Sequence, residues 1–443
     1  MNIPDSMEAI AGLARAAGCN EFDIVAYDSF SESVEVFEKK VSNSEIQKSA
    51  ALGIRVFRNN RPGIAFTEKL SAEALKTCLD DALSHTSLTD AVSFTVAENL
   101  PASTENFDHI APDFDKTSFA DLTRFATELE DKARSLDKRV ENVPYTGAAR
   151  SSSRGYFLNS KGVLYSHGDQ DFSAYSAAVA AMGEQKKMGF YSNSRLAFGE
   201  LRNLKIAERA VERTIEQLGA KPVPSGEYRV LFSNRVSGQI ISMYGSPFFA
   251  EMAIRGQSRL KGRLGEQIAA PIFTLRSMAH RKDLKGSRAR DSEGVPTQDL
   301  TVVENGRFSR FLYNLEAAAL DKTEATGNGV RSVAGKAGTG FKNLVVDAGK
   351  KTQQEMLTQG KILFIDKLEG AAGCSAISGE LSIGAQGFLY ENGERVHPVD
   401  RITLSSNFFD MIKNIEELSS EYNDQYSSVR VPDLLVGKIA VAG

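Results

Sequence analysis

An α+β fold in two domains is what this sequence encodes: a mixed strand-and-helix domain over residues 1–222, then a β-rich domain over 223–443. Three observations carry that expectation. In the first half, segments of alternating apolar and polar residues are separated by amphipathic helical stretches. Gly219-Ala220-Lys221-Pro222-Val223-Pro224-Ser225-Gly226 packs two prolines and two glycines into eight residues directly after a helical stretch, the composition of a linker. The second half is rich in glycine and turns, and it carries two Asn-Gly hairpin signals, Glu304-Asn305-Gly306 and Glu391-Asn392-Gly393.

The first helix has Ile10, Leu13, Ala14 and Ala17 on one face, Asp5 and Glu8 as a capping box, and Gly18 as its stop. Residues 21–67 alternate with a period of two, as in Leu52, Ile54 and Val56. Asn59-Asn60-Arg61-Pro62-Gly63 forms the turn before the return strand. A helix over about 71–83 turns Leu75, Cys78, Leu79 and Ala82 inward. Residues 87–115 form a long connection, and a helix near 117–136 follows with Leu122, Phe125, Ala126 and Leu129 on its buried face. Strands return over 145–190, and a helix near 203–218 closes the domain. Val230-Leu231-Phe232 opens the second domain as an apolar strand.

Bulk properties narrow the function classes. The net charge is −4, which does not favour general attraction to nucleic acid or anionic membrane. Three scattered cysteines, Cys19, Cys78 and Cys374, make no disulfide framework and suggest a reducing compartment. The N-terminus lacks a basic region followed by an apolar one, and no apolar run approaches the roughly 20 residues that span a bilayer. A cytoplasmic location is expected.

The chemistry-bearing residues give little. The five histidines, His85, His109, His167, His280 and His397, include no His-Glu-x-x-His pair that could hold zinc on one helix face. His167-Gly168-Asp169-Gln170-Asp171 could set an imidazole and two carboxylates on one strand face, but a solvated face is the favoured reading. Gly329 to Lys336 departs from the phosphate-loop pattern in spacing and lacks its hydroxyl, so it reads as a mobile or tightly turning loop. Cys374 has no identifiable base. No catalytic residue, metal ligand or cofactor site is therefore assigned in this chain. One feature stands out: ten basic and two acidic residues between Arg255 and Arg290, a local excess of +8. Arg255, Arg259, Lys261 and Arg263 are the candidate partner- or peptide-binding residues.

Several stretches resemble the TldD/PmbA family, also called the modulator-of-gyrase family. They include Gly53-Ile54-Arg55-Val56, Leu158-Asn159-Ser160-Lys161-Gly162-Val163 and Pro224-Ser225-Gly226-Glu227-Tyr228. Further on come Asp291-Ser292-Glu293-Gly294-Val295-Pro296, Thr326-Gly327-Asn328-Gly329-Val330-Arg331 and Ser378-Gly379-Glu380-Leu381-Ser382. The resemblance implies two branches. The TldD branch carries a His-Glu-x-x-x-His zinc motif just after the domain junction and a cysteine ligand near the C-terminus. Here Asn234 to Tyr244 holds neither His nor Glu, and 414–443 holds no Cys, so the chain resembles the TldE/PmbA branch. That branch implies a subunit without its own zinc, paired with a TldD-like metallopeptidase subunit whose zinc cuts unfolded peptides. A homodimer is expected in isolation. A homodimeric binding protein is the second reading, and a nucleic-acid or gyrase-associated regulator is a third that the acidic balance disfavours.

Overall fold

A computed structural model describes all 443 residues, Met1–Gly443. The N-terminal half is built on one antiparallel six-stranded sheet. Its strands are β1 (Glu21–Phe37), β2 (Lys40–Arg58), β3 (Arg61–Thr67), β4 (Val140–Asn159), β5 (Leu164–Met182) and β6 (Gln185–Arg195), in the spatial order β3-β2-β1-β4-β5-β6. Two similar units thus meet at a central β1–β4 pair, each a three-stranded meander preceded by one helix and followed by one helix in the first unit and two in the second. The first is flanked by α1 (Ile3–Ala16) and α2 (Ala72–His85), the second by α3 (Phe119–Leu136), α4 (Phe198–Arg202) and α5 (Ile206–Glu216).

The period of two decides which side of the sheet each residue serves. On β1, Phe22, Ile24 and Ala26 pack with Leu52, Ile54 and Val56 of β2 against Ile10 and Ala14 of α1 and Leu75 and Leu79 of α2. In the second unit Phe172, Ala174 and Ala178 of β5 pack with Leu122, Phe125 and Leu129 of α3 and Ala210 and Val211 of α5. The alternate residues face the other way, towards the C-terminal half.

Two local expectations change. Asn2, rather than Asp5, caps α1: its side chain accepts from the Asp5 N–H at 2.9 Å, and Asp5 sits in the first turn, where its charge suits the helix dipole. The strands are also far longer than the segments read from the sequence, at 17 and 19 residues for β1 and β2. Beyond Phe30 the polar positions of β1 face solvent or charged partners, and this hid the continuity of the strand. The turn after β2 takes Asn59 and Asn60 at φ 51° and 60°, the left-handed conformation that asparagine tolerates.

Residues 220–225 carry no helix or strand. Beyond them β7 (Gly226–Phe232) leads into α6 (Asn234–Met243). β7 joins strands 361–369, 380–391, 394–407, 415–422 and 432–442 in a six-stranded sheet that folds back on itself where 394–407 pairs with 432–442. A second sheet contains 275–278, 300–304 and 343–346. Both Asn-Gly turns are formed, between 300–304 and 307–308 and between 380–391 and 394–407, with Asn305 and Asn392 at φ 49° and 53°. No helix is long and apolar enough to cross a membrane.

Candidate functional site

Three of the stretches that carry the family resemblance meet where the C-terminal half covers the N-terminal sheet. Asp23 on β1 and Arg55 on β2 are direct cross-strand partners, and both are sealed from solvent. Arg55 donates to Asp23 Oδ2 at 2.5 Å and to Glu293 Oε1 at 3.3 Å. Arg331, from the glycine-rich segment, forms a second ion pair with Asp23. Asp291 accepts from the Glu293, Val295 and Gly329 N–H groups, and Lys342 donates to the Gly329 carbonyl.

Three acidic side chains, Asp23, Asp291 and Glu293, and three basic ones, Arg55, Arg331 and Lys342, therefore meet at this junction. Burial would raise the Asp23 carboxyl, but the guanidinia of Arg331 and Arg55 outweigh it and hold it below its ordinary range. Glu293 goes the other way: burial, opposed by Arg55, pushes it up to about 7. Burial also raises Asp291 and lowers Lys342.

Glycine is needed for this closeness. A Cβ on Gly53 would lie 1.9 Å from the Val333 carbonyl oxygen, and one on Gly329 would lie 2.8 Å from Asp291 Oδ2. The glycine-rich segment around 327–340 is thus a docking element, consistent with the tight turning loop expected from its composition.

Beside this cluster lies a cavity of about 510 Å³ between the sheet and the C-terminal half. Val25, Tyr27, Gly155 and Phe157 form its floor, and Tyr165, Phe341 and Val333 add apolar wall. Arg154, Arg288, Arg290, Arg331 and Lys342 line it against Asp169 and Asp291, so its lining is basic.

At one end of the cavity stand His167 and Asp169 of β5. The solvated strand face expected for His167, Asp169 and Asp171 is corrected here: His167 and Asp171 are buried and Asp169 is half-buried. Distant residues cover them. His109, from the long connection, forms a parallel bridge with Asp169, and its Nδ1 lies 3.1 Å from Asp169 Oδ1. His167 Nε2 lies 3.2 Å from the same oxygen. Arg288 donates to Asp169 Oδ2 at 2.9 Å, while Lys285 pairs with Asp171. Burial would raise Asp169, but its hydrogen bonds from His109 and His167 and the Arg288 charge hold it well below the carboxylate range. Burial lowers His167 despite the Asp169 carboxylate.

The basic run is dispersed by the fold. Arg263, Arg276, Arg281, Lys282, Lys285 and Arg288 each pair with a carboxylate, several of them distant in sequence. The local excess of +8 therefore does not persist as one patch. Arg255, Arg259 and Lys261 are exposed, Arg263 is half-buried against Glu266, and none of the four lines the cavity. Arg259 lies 5.6 Å over the Phe409 ring and donates to the Ser378 carbonyl.

The sequence reading missed Asp23, Arg55, Asp291, Glu293 and Arg331 as a unit. A single charge inside an apolar run, as in Phe22-Asp23-Ile24-Val25 and Ile54-Arg55-Val56, was the available signal: a buried charge needs a partner. Nothing in the text around His109 marked it.

Zinc is the group the family resemblance implies, and α6 does not fit it. That helix offers amides, hydroxyls and Arg235, with no imidazole, carboxylate or thiolate. The nearby Asp433 accepts from the Asn234 N–H at 2.6 Å and from Gln353. Cys374 packs against the main C-terminal core, its Sγ 3.7 Å from the Ser382 carbonyl.

A two-unit sheet docked on a β-rich domain through buried charges is the architecture over which three family models match. Those models are the PmbA/TldA metallopeptidase domain 1 at residues 22–85, the central domain at 112–218 and the C-terminal domain at 225–443. The chain belongs to the PmbA/TldD family. It is 28% identical to the metalloprotease PmbA of Escherichia coli O157:H7 over 419 residues, covering 91% of this chain and 89% of that one. The crystal structure of a modulator of DNA gyrase from Thermotoga maritima MSB8 superposes with a TM-score of 0.90 at 26% identity, covering 100% of both chains. TldE from Thermococcus kodakarensis has the same fold, with a TM-score of 0.87 at 23% identity over 98% of this chain and 100% of that one.

Proposed function

We propose that this chain is the TldE/PmbA-type subunit of a TldD/TldE-type zinc metallopeptidase that degrades or trims unfolded peptides in the cytoplasm. Its TldD-like partner supplies the zinc and the cutting residues. The observation that carries this reading is α6: it is folded in place at the start of the C-terminal domain, yet it presents no group that binds zinc or activates water. A framework kept whole without those groups serves as one half of an assembly. The exposed loop with Arg255, Arg259 and Lys261, and Arg263 beside it, is the proposed partner- or peptide-facing surface. In isolation the chain forms a homodimer, and it binds duplex DNA weakly.

Co-expression with a TldD-like chain tests the reading. Size-exclusion with light scattering should show a mixed complex, and chelator-sensitive cleavage of unstructured peptides should require both chains. A chain that ignores the partner and adds nothing to its activity overturns the reading in favour of a binding protein without peptidase function.

A further inference from the structure

We infer that His109, His167 and Asp169 form a binding site for one divalent transition-metal ion of the zinc type. The inference does not rest on the peptidase reading; it concerns residues of the sheet and its connection, away from α6.

Donor spacing is the first ground. Zinc bonds to imidazole nitrogen and carboxylate oxygen of about 2.0–2.1 Å at tetrahedral angles place neighbouring donors roughly 3.3 Å apart. His109 Nδ1 and His167 Nε2 stand 3.1 and 3.2 Å from Asp169 Oδ1, and all three donors lie within 4.8 Å of one another.

Proton accounting is the second. A neutral imidazole has one N–H. His167 faces Asp169 through Nε2 at 3.2 Å and Asp108 through Nδ1 at 3.4 Å, so without an ion one carboxylate meets a bare lone pair. With an ion on Nε2, the Nδ1 proton faces the Asp108 carboxylate 3.4 Å away, the side on which a metal-binding histidine keeps a carboxylate. His109 is only 5% exposed, and its Nε2 has no partner.

The surroundings complete the site. Arg288 holds Asp169 Oδ2 at 2.9 Å and leaves Oδ1 for the ion. Arg154 lies 3.6 Å from Asp108. His167 and Asp169 both line the cavity, so a fourth position can be taken there by water or an oxygen anion, which the basic lining favours. The ion would tie the connection bearing His109 to β5, next to the Arg288 contact from the C-terminal half.

The test uses the full-length protein, stripped with chelator and dialysed. Calorimetric titration with Zn²⁺ should give one ion per chain, and Co²⁺ should give the visible absorption bands of a low-symmetry, four- or five-coordinate nitrogen and oxygen site. His109→Ala and His167→Ala should each weaken Zn²⁺ binding by roughly 100-fold, and Asp108→Asn by about 10-fold, as expected when a second-sphere carboxylate is lost. His280→Ala and His397→Ala should leave it unchanged. The wild-type cobalt spectrum is read independently of whether any variant folds, and melting by circular dichroism checks each variant. A wild type that takes up no ion above the chelator-washed baseline overturns the inference, as does a folded His109→Ala/His167→Ala double variant that binds as tightly as wild type.

Discussion

The two units of the N-terminal sheet share one plan, yet they present opposite chemistry to the C-terminal half. In the first, β1 and β2 offer Asp23 and Arg55, whose charges are fixed, sealed and paired with Glu293 and Arg331. In the second, β5 offers His167 and Asp169 at a cavity and Asp171 beside them, met by Arg288 and Lys285, whose side chains reach partly into solvent. The same pleat position thus serves as a rigid fastening in one unit and as an accessible site in the other. Burial makes the difference: a sealed charge must keep its partner, whereas a charge near water can exchange one.

The contrast is sharpest in stability. Asp23→Ala leaves two buried guanidinia with less compensation and should cost about 3–5 kcal/mol. Asp171→Ala, whose partner Lys285 can turn to solvent, should cost about 1–3 kcal/mol. Denaturant unfolding of both variants measures this, and equal losses would erase the distinction between the units. Gly53→Ala, which drives a Cβ into the Val333 carbonyl, should cost about 1–3 kcal/mol and loosen the docked glycine-rich segment, read as faster hydrogen exchange around Val333.

The pH response should also separate the units. Glu293, raised by burial from near 4.5 to about 7, holds its proton in the folded state over a window where the unfolded chain has lost it. Its contribution to stability is present at acid pH and falls as pH rises from about 4.5 to about 7. Asp23, depressed by its guanidinia, contributes in the opposite sense and is lost only on acidification. Glu293→Gln should therefore flatten the fall in Tm across that window, and an unchanged slope would assign it elsewhere. The smallest stability effect belongs to the surface: the triple change of Arg255, Arg259 and Arg263 to Glu, which loses the Arg263–Glu266 pair and the Arg259 contact with Phe409, should alter unfolding by about 1 kcal/mol or less. If the proposed surface is correct, it should still weaken assembly with a TldD-like chain or peptide cleavage.

The sequence was most legible where one short-range rule decides the outcome. The buried stripe of α2, the Asn59-Asn60 turn and both Asn-Gly hairpins follow from local chemistry. Strand length was less legible, because half of each strand faces charged or wet surroundings and its alternation fades. The site was least legible. Asp23 meets Arg331 and Lys285 meets Asp171 only because the second half folds back over the first, and no local pattern encodes that return. The basic run shows the converse: a charge excess counted along the chain is not a surface when its counter-ions arrive from elsewhere.

The central β1–β4 pairing has a consequence for synthesis. Glu32 and Arg150, joined across it, are 118 residues apart. A ribosome adding about 5–20 residues per second leaves the inner edge of β1 without its neighbour for on the order of ten seconds. For that interval a long strand with open hydrogen-bonding groups is exposed in the cell, a template for wrong pairing. The nascent chain is most vulnerable to aggregation, and most in need of chaperone cover, between emergence of the first unit and completion of β4.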